Sequence, residues 1–410
     1  MPIMRFSFKK RLKRCYWDTA AATPLDKRVQ KTMDKNLVTF GNSASLHSEG
    51  VEAKRIVTLA REKIARILFC QSDEIIFTGS GTESNNLAIL GTALACGRGH
   101  IITTQIEHRS VLAPCEHLAC QGFEVTYLPV NKNGLVNPLD LERALRPETF
   151  LISIVYANNE IGSIQPIKEL AKVIRQWRKK QTAEDSKIGR SDKRLKPYFH
   201  LDACQAPRFL NLNVAQLGVD MMTLNGSKIY GPKGVGLLYV GRGVELKPVI
   251  LGGGQENGLR SGTQNTLAII GLAKALEICL LEQEKESESL FGIQEFLVEE
   301  LKKIPGVSLN GGFVPGERLP NNLNFSVCGL EGEQLVLEFD AKGFSLSTGS
   351  ACSSSKKDGS FVIKALGLDQ DRQNGAVRIS LPREVKMVEA KKFVKKLKEI
   401  LAKYRLLAKV

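Results

Sequence analysis

The length and composition of the chain exclude several classes of protein. At 410 residues, 43% of them hydrophobic, the chain can bury a large core and is longer than one typical domain requires. No apolar run approaches the roughly 18 residues of a membrane-spanning helix, so no membrane association is expected. Nine cysteines without a paired spacing indicate neither a disulfide scaffold nor a metal site, and a reducing, cytoplasmic location is expected.

The net charge of +15 raises the question of an acidic partner. Basic residues concentrate in 5–14, in 175–196 and near the C-terminus. Such runs usually form solvated faces, and the alternative is contact with tRNA or with an acidic scaffold protein. The N-terminal run has the composition of a transit peptide, but the motif that begins at Asp18 leaves little to cleave, so none is expected.

The first motif in chain order predicts a phosphate-binding turn. A strand-like run at 74–77 is followed by the glycine-rich segment 78–86 and by a helical apolar run at 87–90. Backbone N–H groups around Gly81 and the hydroxyl of Thr82 would meet a phosphate at the positive end of the helix dipole. Alternatively, the glycines only form a tight turn and Thr82 only caps a helix.

Strand and helix patterns alternate as far as about residue 260. The run 150–156 predicts a strand, and Ile167, Leu170 and Ile174 have helical spacing after a proline. This alternation predicts an α/β fold with a mostly parallel sheet. The polar segment 181–196 is interpreted as an insertion without regular structure.

A carboxylate follows the predicted strand 198–201. Asp202 stands at the C-terminal end of that strand, where open α/β sheets build their ligand crevices. A buried carboxylate needs a cationic partner, and the protonated pyridine nitrogen of pyridoxal 5'-phosphate (PLP) would be one. The alternative interpretation is an aspartate that caps a helix.

A lysine stands in a short polar turn directly after an apolar run. Lys228 lies in the turn 225–234, which follows the run 220–224. Burial and nearby positive charge lower a lysine pKa, and a neutral amine condenses with an aldehyde, so the position suits a PLP-binding lysine. The alternative is a solvated surface lysine, which is the commoner role in such turns.

The C-terminal third predicts a smaller α/β domain with a reactive cysteine. A long helix is predicted around 266–301 and an amphipathic helix at 390–404. Between them, Cys352 lies in the small, polar run 347–355, which is typical of a mobile solvent-facing loop. Two lysines that follow this run favour the thiolate form. The alternative is a buried, inert cysteine.

Together these motifs resemble the cysteine desulfurase family of fold-type I PLP enzymes. The matching segments are 18–24, 40–42, 78–86, 106–108, 158–162, 201–205, 228–234, 251–263, 347–352 and 377–380. The resemblance implies a fold-type I PLP-dependent transferase with a large domain, built on a mostly parallel seven-stranded sheet, and a smaller α/β C-terminal domain. The large domain is expected at 16–265, and the small one, with the cysteine loop, at 1–15 and 266–410.

The resemblance also implies how PLP would be held. Lys228 would bind it covalently, Asp202 would contact the pyridinium, Gln205 and Asn159 would bond around the ring oxygen, and His108 would stack on the ring and move protons. The residues expected around the phosphate are Gly81, Thr82, Ser227 and, in a homodimer, Thr263 of the partner subunit.

Three positions depart from the pattern of the family. Ser227 stands where a histidine is usual, Asn225 replaces a common phosphate-binding serine, and Thr19 replaces an asparagine. PLP is still expected to bind, with an affinity that can differ.

The substrate carboxylate would be bound by Arg378, whose planar fork suits the task better than a lysine, together with Asn159.

The implied activity is that of a cysteine desulfurase. L-cysteine would lose its sulfur, L-alanine would leave, and a persulfide would remain on Cys352 for a sulfur-acceptor protein, either an iron–sulfur scaffold or a tRNA-thiolation enzyme. One alternative is a selenocysteine lyase. Another is a class V PLP aminotransferase, which would share Lys228 and Asp202 but would have no use for a loop cysteine.

Overall fold

The computed structural model describes residues 14–187, 196–349 and 359–407. The strands are β1 Cys15–Tyr16, β2 Ile75–Thr78, β3 His100–Thr104, β4 Glu124–Leu128, β5 Thr149–Val155, β6 Tyr198–Asp202, β7 Met221–Asn225, β8 Gly236–Val240, β9 Val307–Leu309, β10 Asn322–Val327, β11 Phe344–Ser345 and β12 Ala376–Ser380. The α-helices are α1 Lys27–Asp34, α2 Ser48–Leu68, α3 Gly81–Cys96, α4 Arg109–Cys120, α5 Pro138–Ala144, α6 Ile167–Lys187, α7 Val214–Leu217, α8 Thr266–Lys302, α9 Gly332–Ala341, α10 Phe361–Ala365, α11 Gln370–Asn374 and α12 Met387–Leu407.

A seven-stranded sheet in the order β2-β8-β7-β6-β5-β3-β4 forms the centre of the larger unit. Only β8 runs against its neighbours, and the other pairings are parallel. Residues of β5 alternate between two cores: Ile152 packs with α2, α6 and α8, whereas Leu151 packs with α3 and α4. The sheet is therefore covered on both faces, which explains its near-continuous apolar strands. The predicted, mostly parallel sheet is confirmed.

The carboxyl ends of β3, β5, β6 and β7 meet at one edge of this sheet because these strands are parallel. β2 has the same direction, since both β2 and β7 run antiparallel to β8. The segments that follow these ends are the predicted motifs around Gly81, His108, Asn159, Asp202 and Lys228. The topology thus gathers residues that are far apart in the sequence.

A second core lies around the antiparallel sheet β12-β10-β9. It is built from aromatic side chains, with Phe339 stacked on Phe393 at 4.6 Å and Trp17 against Phe344 at 5.1 Å. Strand β1 pairs with β11 and so brings the N-terminal segment into this core. Helix α8 contributes to both cores. The predicted helices at 266–301 and 390–404 are confirmed, whereas the domain boundaries stay predictions.

The polar segment at 181–196 differs from the expectation. Residues 181–187 continue helix α6, because lysine, glutamine, alanine and glutamate are good helix formers even without an apolar face. The expectation of an insertion without regular structure is wrong for these residues, and 188–195 lie outside the described residues. Across the described ranges, no helix combines the length and the apolar content needed to cross a bilayer.

Candidate active site

A cavity of about 310 Å³ opens at the carboxyl edge of the seven-stranded sheet. Eight of the eleven predicted site residues line it: Gly81, Thr82, His108, Asn159, Asp202, Gln205, Lys228 and Arg378. Ser227 lies behind the wall, and Thr263 is exposed and does not line the cavity of its own chain. Cys352 lies outside the described residues. The roles assigned to all eleven stay predictions.

Asp202 occupies the end of β6, where it is only 5% exposed. Its Oδ1 accepts a hydrogen bond from the Cys204 N–H at 3.0 Å, and its Oδ2 accepts one from Asn85 Nδ2 at 2.8 Å. Both donors are neutral. A buried carboxylate with neutral donors is stabilised further by a cation, so the position suits a pyridinium.

Lys228 ends a single 3₁₀ turn that follows β7 directly. Its Nζ donates to the carbonyl of Ala21 at 2.5 Å. The N-terminal segment is held against this turn because the Thr23 N–H donates to the carbonyl of Ser227 at 2.8 Å and the Tyr230 N–H donates to Thr23 Oγ1 at 2.6 Å. The amine is therefore fixed at the cavity wall by a neutral acceptor.

The start of helix α3 forms one end of the cavity. Ser80 caps it, since its side chain accepts the Glu83 N–H, and Glu83 in turn accepts the Gly79 N–H at 2.8 Å. A Cβ atom at Gly81 would lie 2.7 Å from Cys204 Sγ, so only glycine allows this close approach. The N–H groups of Gly81 and Thr82, which have no acceptor within the helix, remain for an anion.

The two departures at Asn225 and Ser227 are coupled in the structure. Asn225 Oδ1 accepts from both the N–H and the hydroxyl of Ser227, each at 3.1 Å. The hydroxyl proton of Ser227 is thus directed at Asn225. Because the amide oxygen is used, the Nδ2 group of Asn225 is the donor left for the cavity, which this residue lines next to Gly81.

Arg378 is buried on β12, where it is 3% exposed. Its Nη2 donates to Asp18 Oδ1 at 2.6 Å, and its Nη1 donates to the carbonyl of Asn159 at 3.2 Å. Within the described residues its Nε has no hydrogen-bond partner. Arg378 lines the cavity, and a planar guanidinium is suited to bind a carboxylate. The contact with Asp18 was not anticipated from the sequence.

Glu160 is a second residue that sequence reasoning missed, although it belongs to the matching segment 158–162. Its Oε2 accepts from Ser360 Oγ at 2.6 Å, and a Cβ atom on Gly349 would lie 2.8 Å from the same oxygen. Burial raises the pKa of Glu160. Gly349 and Ser360 therefore meet one side chain of the cavity wall, and in the sequence they flank the segment that contains Cys352.

Residues 15–393 match the aminotransferase class-V family. The chain belongs to this family. A cysteine desulfurase IscS from Dictyoglomus turgidum is 46% identical over 370 residues, which make up 89% of each protein. A solved NifS-like protein has a TM-score of 0.85 at 34% identity, covering 95% of this chain and 99% of that one. The structure of SspA in complex with cysteine has a TM-score of 0.75 at 36% identity, covering 90% of this chain and 99% of that one.

Proteins of the aminotransferase class-V family are PLP-dependent, and the expected fold-type I architecture is confirmed. The cavity residues fit the cofactor. Asp202 offers a buried anion to the pyridinium, the free N–H groups at Gly81 and the amide of Asn225 suit a phosphate, and Lys228 supplies the amine.

Proposed function

We propose that this member of the aminotransferase class-V family is a cysteine desulfurase that converts L-cysteine to L-alanine. The observation that carries the proposal is the cavity that unites Lys228, Asp202 and Arg378, in a chain whose relatives are cysteine desulfurases over about nine tenths of its length. PLP, when bound, supplies the electron sink for cleavage of the substrate Cα–H bond.

The residues of the chain divide the remaining tasks. Lys228 would hold the cofactor through its amine and would take the Cα proton of the substrate. Asp202, buried at the end of β6, would hold the pyridine nitrogen. His108 lines the same cavity and moves a proton at its Nε2 atom. Gln205 and Asn159 fix the orientation of the ring.

Replacing the predicted carboxylate clamp by Arg378→Lys should raise the KM for L-cysteine about 10- to 100-fold, because charged hydrogen bonds contribute about 1.5–3 kcal/mol and the lysine cannot reproduce the fork. Steady-state alanine formation measures this effect. Thermal unfolding should be followed in parallel, since the substitution also weakens the contact with Asp18. Arg242→Lys, on an exposed arginine, is the matched control. An unchanged KM in the Arg378 variant would refute the clamp.

Cys352 is proposed as the nucleophile that takes the substrate sulfur and carries it as a persulfide. It follows Gly349, which lines the cavity, by only three residues in the sequence. Among the described cysteines, Cys204 also lines the cavity, but burial and the nearby Asp202 raise its pKa well above the usual range. A thiol held in its protonated form is a poor nucleophile, so Cys204 is not a strong competitor for this role.

A homodimer is proposed from an exposed apolar surface, the 37–51 patch. It consists of Leu37, Val38, Phe40, Leu46 and Val51, of which Phe40 is 83% and Leu46 96% exposed. Exposed apolar residues that cluster in this way are typical of protein interfaces. The patch adjoins the 251–263 motif, since Ser43 Oγ donates to Gln264 at 2.6 Å. A partner bound here could bring Thr263 of the partner subunit to the phosphate.

Phe40→Asp should dissociate this dimer, because it places a charge on both subunits where the interface would bury an aromatic ring. The dissociation constant is expected to rise at least on the order of 100-fold, measured by analytical ultracentrifugation. PLP affinity should fall with it if Thr263 of the partner subunit binds the phosphate. Leu337→Asp, at a 70% exposed site on α9, is the control and should leave the mass of the assembly unchanged. A dimer that persists in the Phe40 variant would contradict the proposed interface.

The charge of the protein surface supports an acidic sulfur acceptor. Lys391, Lys395 and Lys398 are exposed along one face of α12 at a helical spacing. This face suits an acidic partner, either an iron–sulfur scaffold protein or tRNA with its thiolation enzyme. A reducing cytoplasm, which keeps the Cys352 thiol free to accept sulfur, is the proposed location.

The proposed function is tested by incubating the PLP-loaded protein with L-cysteine and a thiol reductant. Equal amounts of L-alanine and sulfide are expected. A marked preference for selenocysteine would favour the lyase alternative. Transfer of the amino group from L-cysteine to an added 2-oxo acid, without sulfide, would instead favour an aminotransferase.

A further inference from the structure

Two largely buried side chains in the cavity lining connect His108 to Asp202. Asn85, on α3, donates through Nδ2 to Ser110 Oγ and to Asp202 Oδ2, both at 2.8 Å. Ser110 is in the first turn of α4, and its Oγ atom lies 2.8 Å from His108 Nδ1. Its backbone N–H also donates to that nitrogen, at 3.1 Å. Asn85 is 1% exposed and Ser110 is 7% exposed.

The directions of these bonds follow from the donors alone. An amide Nδ2 group and a backbone N–H can only donate. Ser110 Oγ therefore accepts from Asn85 and gives its own proton to His108 Nδ1, which receives a second proton donor from the backbone. A nitrogen that accepts two hydrogen bonds carries no proton. The neutral His108 ring must then hold its proton on Nε2.

The orientation of the Asn85 amide is fixed by the carboxylate beside it. Turning the amide over would place its Oδ1 against Asp202 Oδ2, which is a repulsive contact, and would remove the donor from Ser110. In the observed orientation Asn85 Oδ1 is buried and stays without a partner among the described residues, while Nδ2 donates to both Ser110 and Asp202.

We propose that Asn85 and Ser110 are positioning residues that hold His108 as a neutral ring with its proton on Nε2. This inference rests on the proposed function in one respect, the use of His108 as a proton carrier. In this role Asn85 and Ser110 act through their hydrogen bonds to Asp202 and His108.

The charged groups around His108 agree with this assignment. Burial is the main cause that lowers the pKa of His108, and Lys228, Arg109 and Arg378 lower it further, whereas only Asp202 raises it. Two donors on Nδ1 add to this, because they stabilise the neutral ring alone. Removing one of these donors must therefore raise the pKa of His108. As the pH falls, the ring of the variant then becomes protonated at a higher pH than the ring of the wild type.

The test is a histidine ¹⁵N NMR titration of the apoprotein, with the signal of His108 assigned through His108→Gln. In the wild type, the ring nitrogens should show the neutral form protonated at Nε2 at pH 7. In Ser110→Ala the midpoint should move up by about half to one pH unit, which corresponds to one neutral hydrogen bond. Asn85→Leu should move it in the same direction, because Ser110 then has no donor that fixes its hydroxyl.

Two further variants separate positioning from folding. Ser110→Thr keeps the hydroxyl and should restore the wild-type midpoint. Ser153→Ala removes a comparable buried bond between a serine and His200, at 2.9 Å and outside the cavity lining, and should leave the His108 midpoint in place. With PLP and L-cysteine, the acid limb of the rate profile should shift upward in Ser110→Ala by the same amount as the NMR midpoint.

A wild-type ring protonated on Nδ1 would overturn the proposal, and so would an unchanged midpoint in Ser110→Ala or an equal shift in Ser153→Ala. The wild-type spectrum alone shows which ring nitrogen of His108 is protonated, even if a variant does not fold. Because the titration uses apoprotein, it is independent of the desulfurase activity. The expected titration in a protein that forms no alanine would refute the proposed function and leave the positioning intact.

Discussion

Lys228→Ala should abolish covalent attachment of PLP and stop alanine formation. The lysine ends the turn after β7, its Nζ lies at the cavity wall, and no other described lysine lines that cavity. Loss of an amine that binds the cofactor and takes the Cα proton is expected to lower kcat at least on the order of 10³-fold. Borohydride reduction of the loaded protein, followed by peptide mass spectrometry, measures the attachment directly.

The matched control is Lys233→Ala, five positions further along the same loop. Lys233 is exposed and does not line the cavity, so this variant should bind PLP and turn over as the wild type does. Cofactor attachment at Lys233 in the wild type, or normal turnover by the Lys228 variant, would refute the assignment of Lys228.

Cys352→Ser should separate substrate binding from sulfur transfer. Binding of L-cysteine depends on the amine of Lys228 and the clamp at Arg378, so the cofactor spectrum should still change when L-cysteine is added. Alanine and sulfide formation should fall at least on the order of 10³-fold, because a hydroxyl cannot take up the sulfur. Rapid-mixing absorbance measures the first step, and amino-acid analysis measures the product.

Cys328→Ser is the control for this variant. Cys328 is exposed, lies beyond the cavity lining, and should be dispensable. Sulfide release at the wild-type rate by Cys352→Ser would show that another group accepts the sulfur, and an aminotransferase or lyase mechanism would then have to be considered.

Features that depend on strand ends could be predicted from the sequence. Asp202 and Lys228 each follow a short apolar run, and such runs end at one edge when the sheet is parallel. The same holds for Gly81, where a glycine-rich turn leads into α3. Local sequence patterns determine these strand ends and turns, so they could be predicted from one sequence.

The hydrogen bonds among Asn85, Ser110 and His108 could not be predicted in this way. Asn85 and Ser110 lie near the starts of two different helices and meet because α3 and α4 pack side by side on one face of the sheet. In the sequence they are a polar residue in an apolar helix and a common serine. Their spacing carries no signal without the order of the strands.

The surroundings of Arg378 could not be predicted from the sequence either, because its partner lies far away along the chain. Arg378 is paired with Asp18, which stands 360 positions away, and the pair forms only when the N-terminal segment lies along β12. Glu160 likewise meets Ser360, 200 positions away, where Ile161 packs in one apolar cluster with Val362 and Ile363 of α10. Single motifs identified the segments, whereas the three-dimensional fold determined which donors remain for a ligand.

The central claim, that Cys352 accepts the sulfur of L-cysteine, is tested most directly by locating the persulfide. The PLP-loaded wild type is treated with L-cysteine, trapped with an alkylating reagent and digested for mass spectrometry. One additional sulfur atom is expected on the peptide that contains Cys352. An additional sulfur on the Cys204 or Cys328 peptide instead, or on no cysteine at all while alanine is formed, would contradict the claim.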